Sequence, residues 1–140
     1  MKRLILIIMI PLLSFTQEDI FKIKNVLSSQ ESSWNEGDIH NFMLGYWNSD
    51  MLEFSSEDVI TYGWMNTYIK YKKSYPTKEK MGKLQFDIID IKLTSDTTAI
   101  VNGKWELVRV NNKPWGGRFI LTFQKFNNEW LIIKDYTTSN

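Results

Sequence analysis

The stretch from Ala99 to Thr137 constrains the fold more than any other, because it holds the strongest periodicity in the chain and one charge where an apolar side chain is expected. Ala99, Val101, Gly103, Trp105 and Leu107 alternate with Ile100, Asn102, Lys104 and Glu106, which describes a strand with its first set turned toward a core. Arg109 falls on that apolar face. A buried guanidinium needs a partner, and Asp135, late in the strand-like run Trp130 to Thr137, is the candidate.

Other strands flank this one. Leu84, Phe86 and Ile88 alternate with Gln85 and Asp87, and the step Ile88-Ile89-Asp90-Ile91 breaks the alternation as a β-bulge does. Ser95-Asp96-Thr97 and Asn111 to Pro114 read as connections, Gly117 to Phe126 as a strand with Phe119, Leu121 and Phe123 on one face, and Asn127-Asn128 as a hairpin turn. Upstream the period changes. Ile20, Ile23, Leu27, Gln30 and Trp34 mark one face of a helix that Gly37 can close, and Asp38 caps a short second helix with Ile39, Phe42, Met43 and Tyr46. Met51 to Ser55 and Val59 to Tyr62 form a short hairpin around Ser56-Glu57-Asp58. Trp64, Tyr68, Tyr71 and Tyr75 then follow along one side of a third helix, which Pro76 stops. That stripe suits either core packing or a ligand platform. Together the elements predict an α+β fold in which a curved, mostly antiparallel sheet wraps around three N-terminal helices.

The chain of 140 residues reads as one domain behind a leader. Lys2 and Arg3 form a basic start, Leu4 to Leu13 an apolar run interrupted by Pro11, and Ser14 and Thr16 are small enough for cleavage before Gln17. Residues 1–16 are therefore expected to be a signal peptide and 17–140 the domain, secreted or periplasmic. The apolar run is shorter than the roughly 20 residues of a membrane span, and without cysteine a lipoprotein anchor is excluded. Removing Lys2 and Arg3 from the 17 basic residues leaves 15 against 16 acidic ones, so the mature chain lacks the basic excess of a nucleic-acid binder. The lysines between Lys70 and Lys83 form only a local cluster.

Particular pieces resemble a known superfamily. Trp34-Asn35-Glu36-Gly37-Asp38, Tyr62-Gly63-Trp64, Tyr75-Pro76, Gly103-Lys104-Trp105 with Leu107 and Arg109, Gly116-Gly117 with Phe119, and Trp130 followed by Asp135 and Thr137 are similar to a bacterial, often secreted subgroup of unknown function in the nuclear transport factor 2-like superfamily. That superfamily includes ketosteroid isomerase and the SnoaL-like cyclases. The resemblance implies a cone-shaped, cystatin-like fold with a pocket at its open end, and in the members that are enzymes a pocket carboxylate acting as base. The early strand that carries this base in ketosteroid isomerases reads Leu52-Glu53-Phe54 here, and by alternation Glu53 points away from its neighbours' face. Tyr136 stands where the subgroup tends to carry His.

Within such a pocket, Tyr46, Trp47, Tyr62, Trp64, Trp105, Arg109 and Tyr136 are the candidate ligand-binding residues, and Asp135 with Arg109 the candidate catalytic pair. The pair also suits a structural salt bridge tying neighbouring strands. His40, the only histidine, has no evident orienting acid. No recognised metal-ligand spacing occurs, and Gly116-Gly117 suits close backbone approach rather than a phosphate loop. No cofactor is expected. The first expectation is a binding protein for a small apolar or aromatic molecule, anionic ones included. The alternative is a SnoaL-like isomerase, cyclase or dehydratase with Asp135 as general base and Arg109 plus a tyrosine as oxyanion donors. A homodimer through the outer sheet face, with Ile100, Val108, Ile120 and Thr122, is compatible with both.

Overall fold

Helix α1, Leu12–Asn35, forms because Ile23, Leu27, Gln30 and Trp34 recur at helical spacing and all four are buried on one face. The computed structural model describes residues 12–140, with side chains from residue 16 onward, so most of the predicted leader lies outside the described residues. Gly37, at φ 81°, ends the helix: its N–H returns to the Trp34 carbonyl and that of Asp38 to Ser33. Asp38 then caps α2, Ile39–Met43, by accepting from the Asn41 N–H at 2.9 Å.

The hairpin β1, Glu53–Ser56, and β2, Val59–Tyr62, turns at Glu57 with φ 52°. Helix α3, Trp64–Ser74, follows from Gly63. After Pro76 the chain makes one unexpected turn of helix, α4, Lys78–Met81, capped by the Thr77 hydroxyl. Four residues are too few to show a helical period, so the pattern of apolar positions could not reveal it. Four long strands complete the chain: β3, Lys83–Leu93; β4, Thr98–Val108; β5, Trp115–Phe126; and β6, Glu129–Ser139.

All six strands form one curved sheet in the order β2-β1-β6-β5-β4-β3, antiparallel except where β1 runs parallel to β6. Two bulges bend it. One interrupts β3 between Ile88 and Asp90, where the sequence predicts it, and the other lies in β6 opposite Thr122 and Phe123. The concave face closes over α1 and α2, and their joint core includes Trp34, Phe42, Met43, Leu84, Phe123, Trp130 and Ile132. The free edge of β3 is covered by α1: Asn35 accepts from the Leu84 N–H at 2.7 Å, and Glu31 from that of Phe86 at 2.8 Å.

Candidate functional site

The bulge in β6 decides which side chains enter the cone. Carried on without a break, the alternation of buried Trp130 and Ile132 would put Lys134 and Tyr136 inside and Asp135 outside. Ile133 is the extra residue. It inverts the phase, so that Asp135, paired with Phe54 on one side and Leu121 on the other, is 4% exposed and points inward. Tyr136 is thereby turned to the convex face, 46% exposed, which corrects its expected place in the pocket.

Between the sheet, α2, α3 and α4 lies a cavity of about 950 Å³. The Asp135 carboxylate forms its floor. Oδ2 accepts from the Tyr46 hydroxyl at 2.7 Å and Oδ1 from that of Thr137 at 2.6 Å. Tyr46 reaches this position because its backbone bridges in parallel to Ile132, just upstream of the bulge. Burial pushes the Asp135 carboxyl up to about 6, against the two hydrogen bonds that favour its ionised form. Burial, then the neighbouring Asp135 charge, also raises the Tyr46 and Tyr71 phenols well above the ordinary tyrosine value. Tyr71 packs edge-on to Trp34, Phe42 and Phe54, so the stripe along α3 contributes both to the core and to the cavity wall.

Up the cone from this floor, successive levels of the sheet present Phe119 with Thr137, then Trp105 beside Gly117, then Leu107 beside Trp115. Gly117 has to be glycine: a Cβ there would collide with the Thr138 backbone. The Trp105 indole donates to the Thr138 carbonyl at 3.0 Å and meets Trp115 edge-on at 4.8 Å. Arg109 sits at the mouth, one residue past the end of β4.

Arg109 and Asp135 therefore line one cavity without pairing, and the expected salt bridge is not formed. The register shows why. Asp135 is level with Leu121 and Val101, and Arg109 lies eight residues further along, roughly 26 Å of strand contour at about 3.3 Å per residue. The guanidinium instead donates from Nε to the Lys80 carbonyl of α4 at 2.7 Å and lies over Trp115, 5.6 Å from the ring centroid.

Of the remaining expected lining residues, Tyr46 and Trp105 face the cavity and three aromatics do not. Trp47 stacks on Phe126 at 5.5 Å, Tyr62 is 57% exposed on the outer strand β2, and Trp64 is buried with its indole donating to the Met43 carbonyl at 2.8 Å. The two tryptophans found partners elsewhere, and the tyrosine lies on the outer surface. Glu53 lies off the cavity, 3.5 Å from Lys134. Exposed His40 touches only the edges of Trp64 and Tyr68. Tyr71 and Thr137 were missed as site residues, although each lies at a readable spacing: Tyr71 on the aromatic stripe, Thr137 two residues after Asp135 on the same strand. Among the described residues, no three His, Asp or Glu side chains gather as a metal site would require.

No protein-family model and no curated protein matches the chain. Solved structures do. A nuclear transport factor 2-like protein of unknown function from Shewanella oneidensis is 36% identical, with a TM-score of 0.80 over 88% of this chain and 98% of that one. A ketosteroid isomerase-like protein from Erwinia carotovora shares the fold at 15% identity, with a TM-score of 0.71 over 87% of this chain and 96% of that one. A scytalone dehydratase-like protein from Novosphingobium aromaticivorans does so at 11% identity, with a TM-score of 0.71 over 92% and 89%. An inward-curved sheet over helices, a cavity at its open end and a relative at this identity lead to one conclusion: the chain belongs to the nuclear transport factor 2-like superfamily.

Proposed function

We propose that this protein is exported and binds a small, largely apolar molecule inside the cone. The observation that carries the reading is the cavity itself: about 950 Å³, walled by aromatic and aliphatic side chains, with one buried carboxylate at the floor. Concave apolar sites with a few convergent polar groups are what small-molecule binding requires. Export is supported by the sequence before Gln17, where basic Lys2 and Arg3 precede an apolar run and small Ser14 and Thr16. Peptide mapping of protein recovered from outside the cytoplasm should begin at Gln17, and a retained Met1 there would exclude cleavage.

Trp34 and Trp105 line the cavity, so occupancy is readable in tryptophan fluorescence. Titration with a panel of fused-ring phenols should give saturable quenching, weakened at least roughly tenfold in Leu121→Trp, where the indole fills the space above Asp135. Saturable quenching unaffected by that substitution places binding elsewhere and removes the proposal.

A second reading has its own support. A carboxyl at about 6 is ionised at neutral pH and close enough to it to take a proton and return it. Asp135 would act as general base in an isomerase, cyclase or dehydratase. Arg109 is too distant to share that step, and Tyr71 replaces it as the donor to a developing oxyanion, because Tyr46 is already bound to Asp135. Asp135→Asn should abolish turnover of any active substrate, and an unchanged rate excludes this mechanism. Association of two copies through the convex face is supported by outward Val108 and Ile120, each more than two-fifths exposed. Light scattering should show a dimer that Ile120→Glu dissociates.

A further inference from the structure

The two ends of the cavity differ in chemistry. At the floor Asp135, with two hydroxyls already donating to it, offers its remaining lone pairs as acceptors. At the mouth Arg109 is fixed by its Nε bond to the Lys80 carbonyl and by the face of Trp115 beneath it. None of the ion pairs among the described residues engages it. The two terminal nitrogens of the guanidinium, the part of the fork that matches a planar oxyanion, make no hydrogen bond or ion pair among the described residues, and the nearby Tyr75 phenol of the cavity wall feels the charge.

Other charges at the rim do not compete for that part. Glu57 accepts from the Ser139 N–H and hydroxyl, at 2.5 and 2.7 Å, and Lys70 leans across the Phe54 ring toward the Thr61 hydroxyl. Glu79 is exposed on the same short helix as Lys80. Between the ends the walls are apolar, from Leu121 and Phe119 to Leu107 and Trp105.

Resting on the small-molecule reading above, we infer that the ligand is an elongated organic anion that enters tail first. Its apolar body fills the middle of the cone, a hydrogen-bond donor at the far end meets Asp135, and an acidic oxyanion at the near end is gripped by Arg109. The reverse orientation would set an anion against the floor carboxylate in a buried, poorly screened place. Carboxylate, sulfonate and phosphate heads share the recognised chemistry.

Two probes with one body separate the head-group contact from the cavity: 8-anilinonaphthalene-1-sulfonate, an anion, and N-phenyl-1-naphthylamine, its neutral counterpart. Both fluoresce on entering an apolar site. The full chain should bind the sulfonate roughly tenfold more tightly than the neutral amine, and Arg109→Gln should remove that difference by weakening only the sulfonate. Arg109→Lys should keep part of it, because the charge remains and the fork is lost. Unimpaired binding of the neutral probe shows that the variant is folded. Equal affinity of the wild-type chain for both probes, or an equal change for both in Arg109→Gln, overturns the inference and leaves the cavity reading standing. If neither probe binds the wild-type chain, the fault lies with the cavity reading itself.

Discussion

Asp135 is a cost to the fold as well as its most distinctive group. Its carboxyl titrates at about 6 in the folded chain against an ordinary 3.8, so between those values the folded state holds a proton that the unfolded state has released. Stability must therefore fall as pH rises from about 4 to 6, by about 3 kcal/mol at most, and the full penalty persists above that window. Asn cannot ionise, and the Thr137 hydroxyl can turn to accept from its amide. Asp135→Asn should then be more stable than the wild-type chain by about 1–3 kcal/mol at pH 7.5 and nearly equal at pH 4, as read from urea midpoints. Tyr46→Phe works in the opposite direction. It strips one of two donors from a buried carboxylate and should cost about 1.5–3 kcal/mol at pH 7.5, and less at pH 4.5 where the group is protonated. Such a pair of pH-dependent curves would distinguish the floor of the cavity from an ordinary core position.

At the scale of elements, the readable features were those in which neighbouring residues differ in kind. Polar Asp87 and Lys104 between apolar neighbours gave the strand phase, and Gly37-Asp38 gave a helix end and a helix start. The bulge in β3 was legible because polar Asp90 follows two consecutive apolar residues. The one in β6 was not, because Leu131, Ile132 and Ile133 are all apolar and no alternation is there to break. That silence left open which of Asp135 and Tyr136 faces inward, so the sequence offers both to the pocket where the structure admits only Asp135. Arg109 misled for a related reason: it continues the phase of β4 past the strand's last pair, and phase says nothing about height along the cone. The aromatics Trp47, Tyr62 and Trp64 are equally at home in a core, on a surface or in a pocket, and only packing distinguishes the three. Gly117 offers a test of the close approach between β5 and β6. Gly117→Ala should destabilise by about 2 kcal/mol or more, lowering the melting temperature by roughly 5–10 °C, because the colliding atoms are backbone and cannot swing aside.

For the whole molecule, the order β2-β1-β6-β5-β4-β3 puts β6, the last of the described strands in the chain, in the interior of the sheet. Its two halves serve different neighbours: Ile132 bonds to the segment around Gly45 and Trp47, and residues 134 to 137 to β1. At its start, Trp130 donates to Asp19 across 111 positions of the chain. The β1–β2 hairpin and the segment around Gly45 thus reach the β3-β4-β5 meander only through β6. Folding must be late and slow for the length, because these contacts demand the closure of nearly the whole chain before they repay it. A chain stopped after Asn128 should keep helical signal and lose its cooperative melt, as calorimetry would show. The carboxylate at the floor of the cone belongs to that same strand. Synthesis cut short before β6 therefore yields no truncated binder that could compete with the full fold, since this one strand supplies both the keystone of the sheet and the polar centre of its pocket.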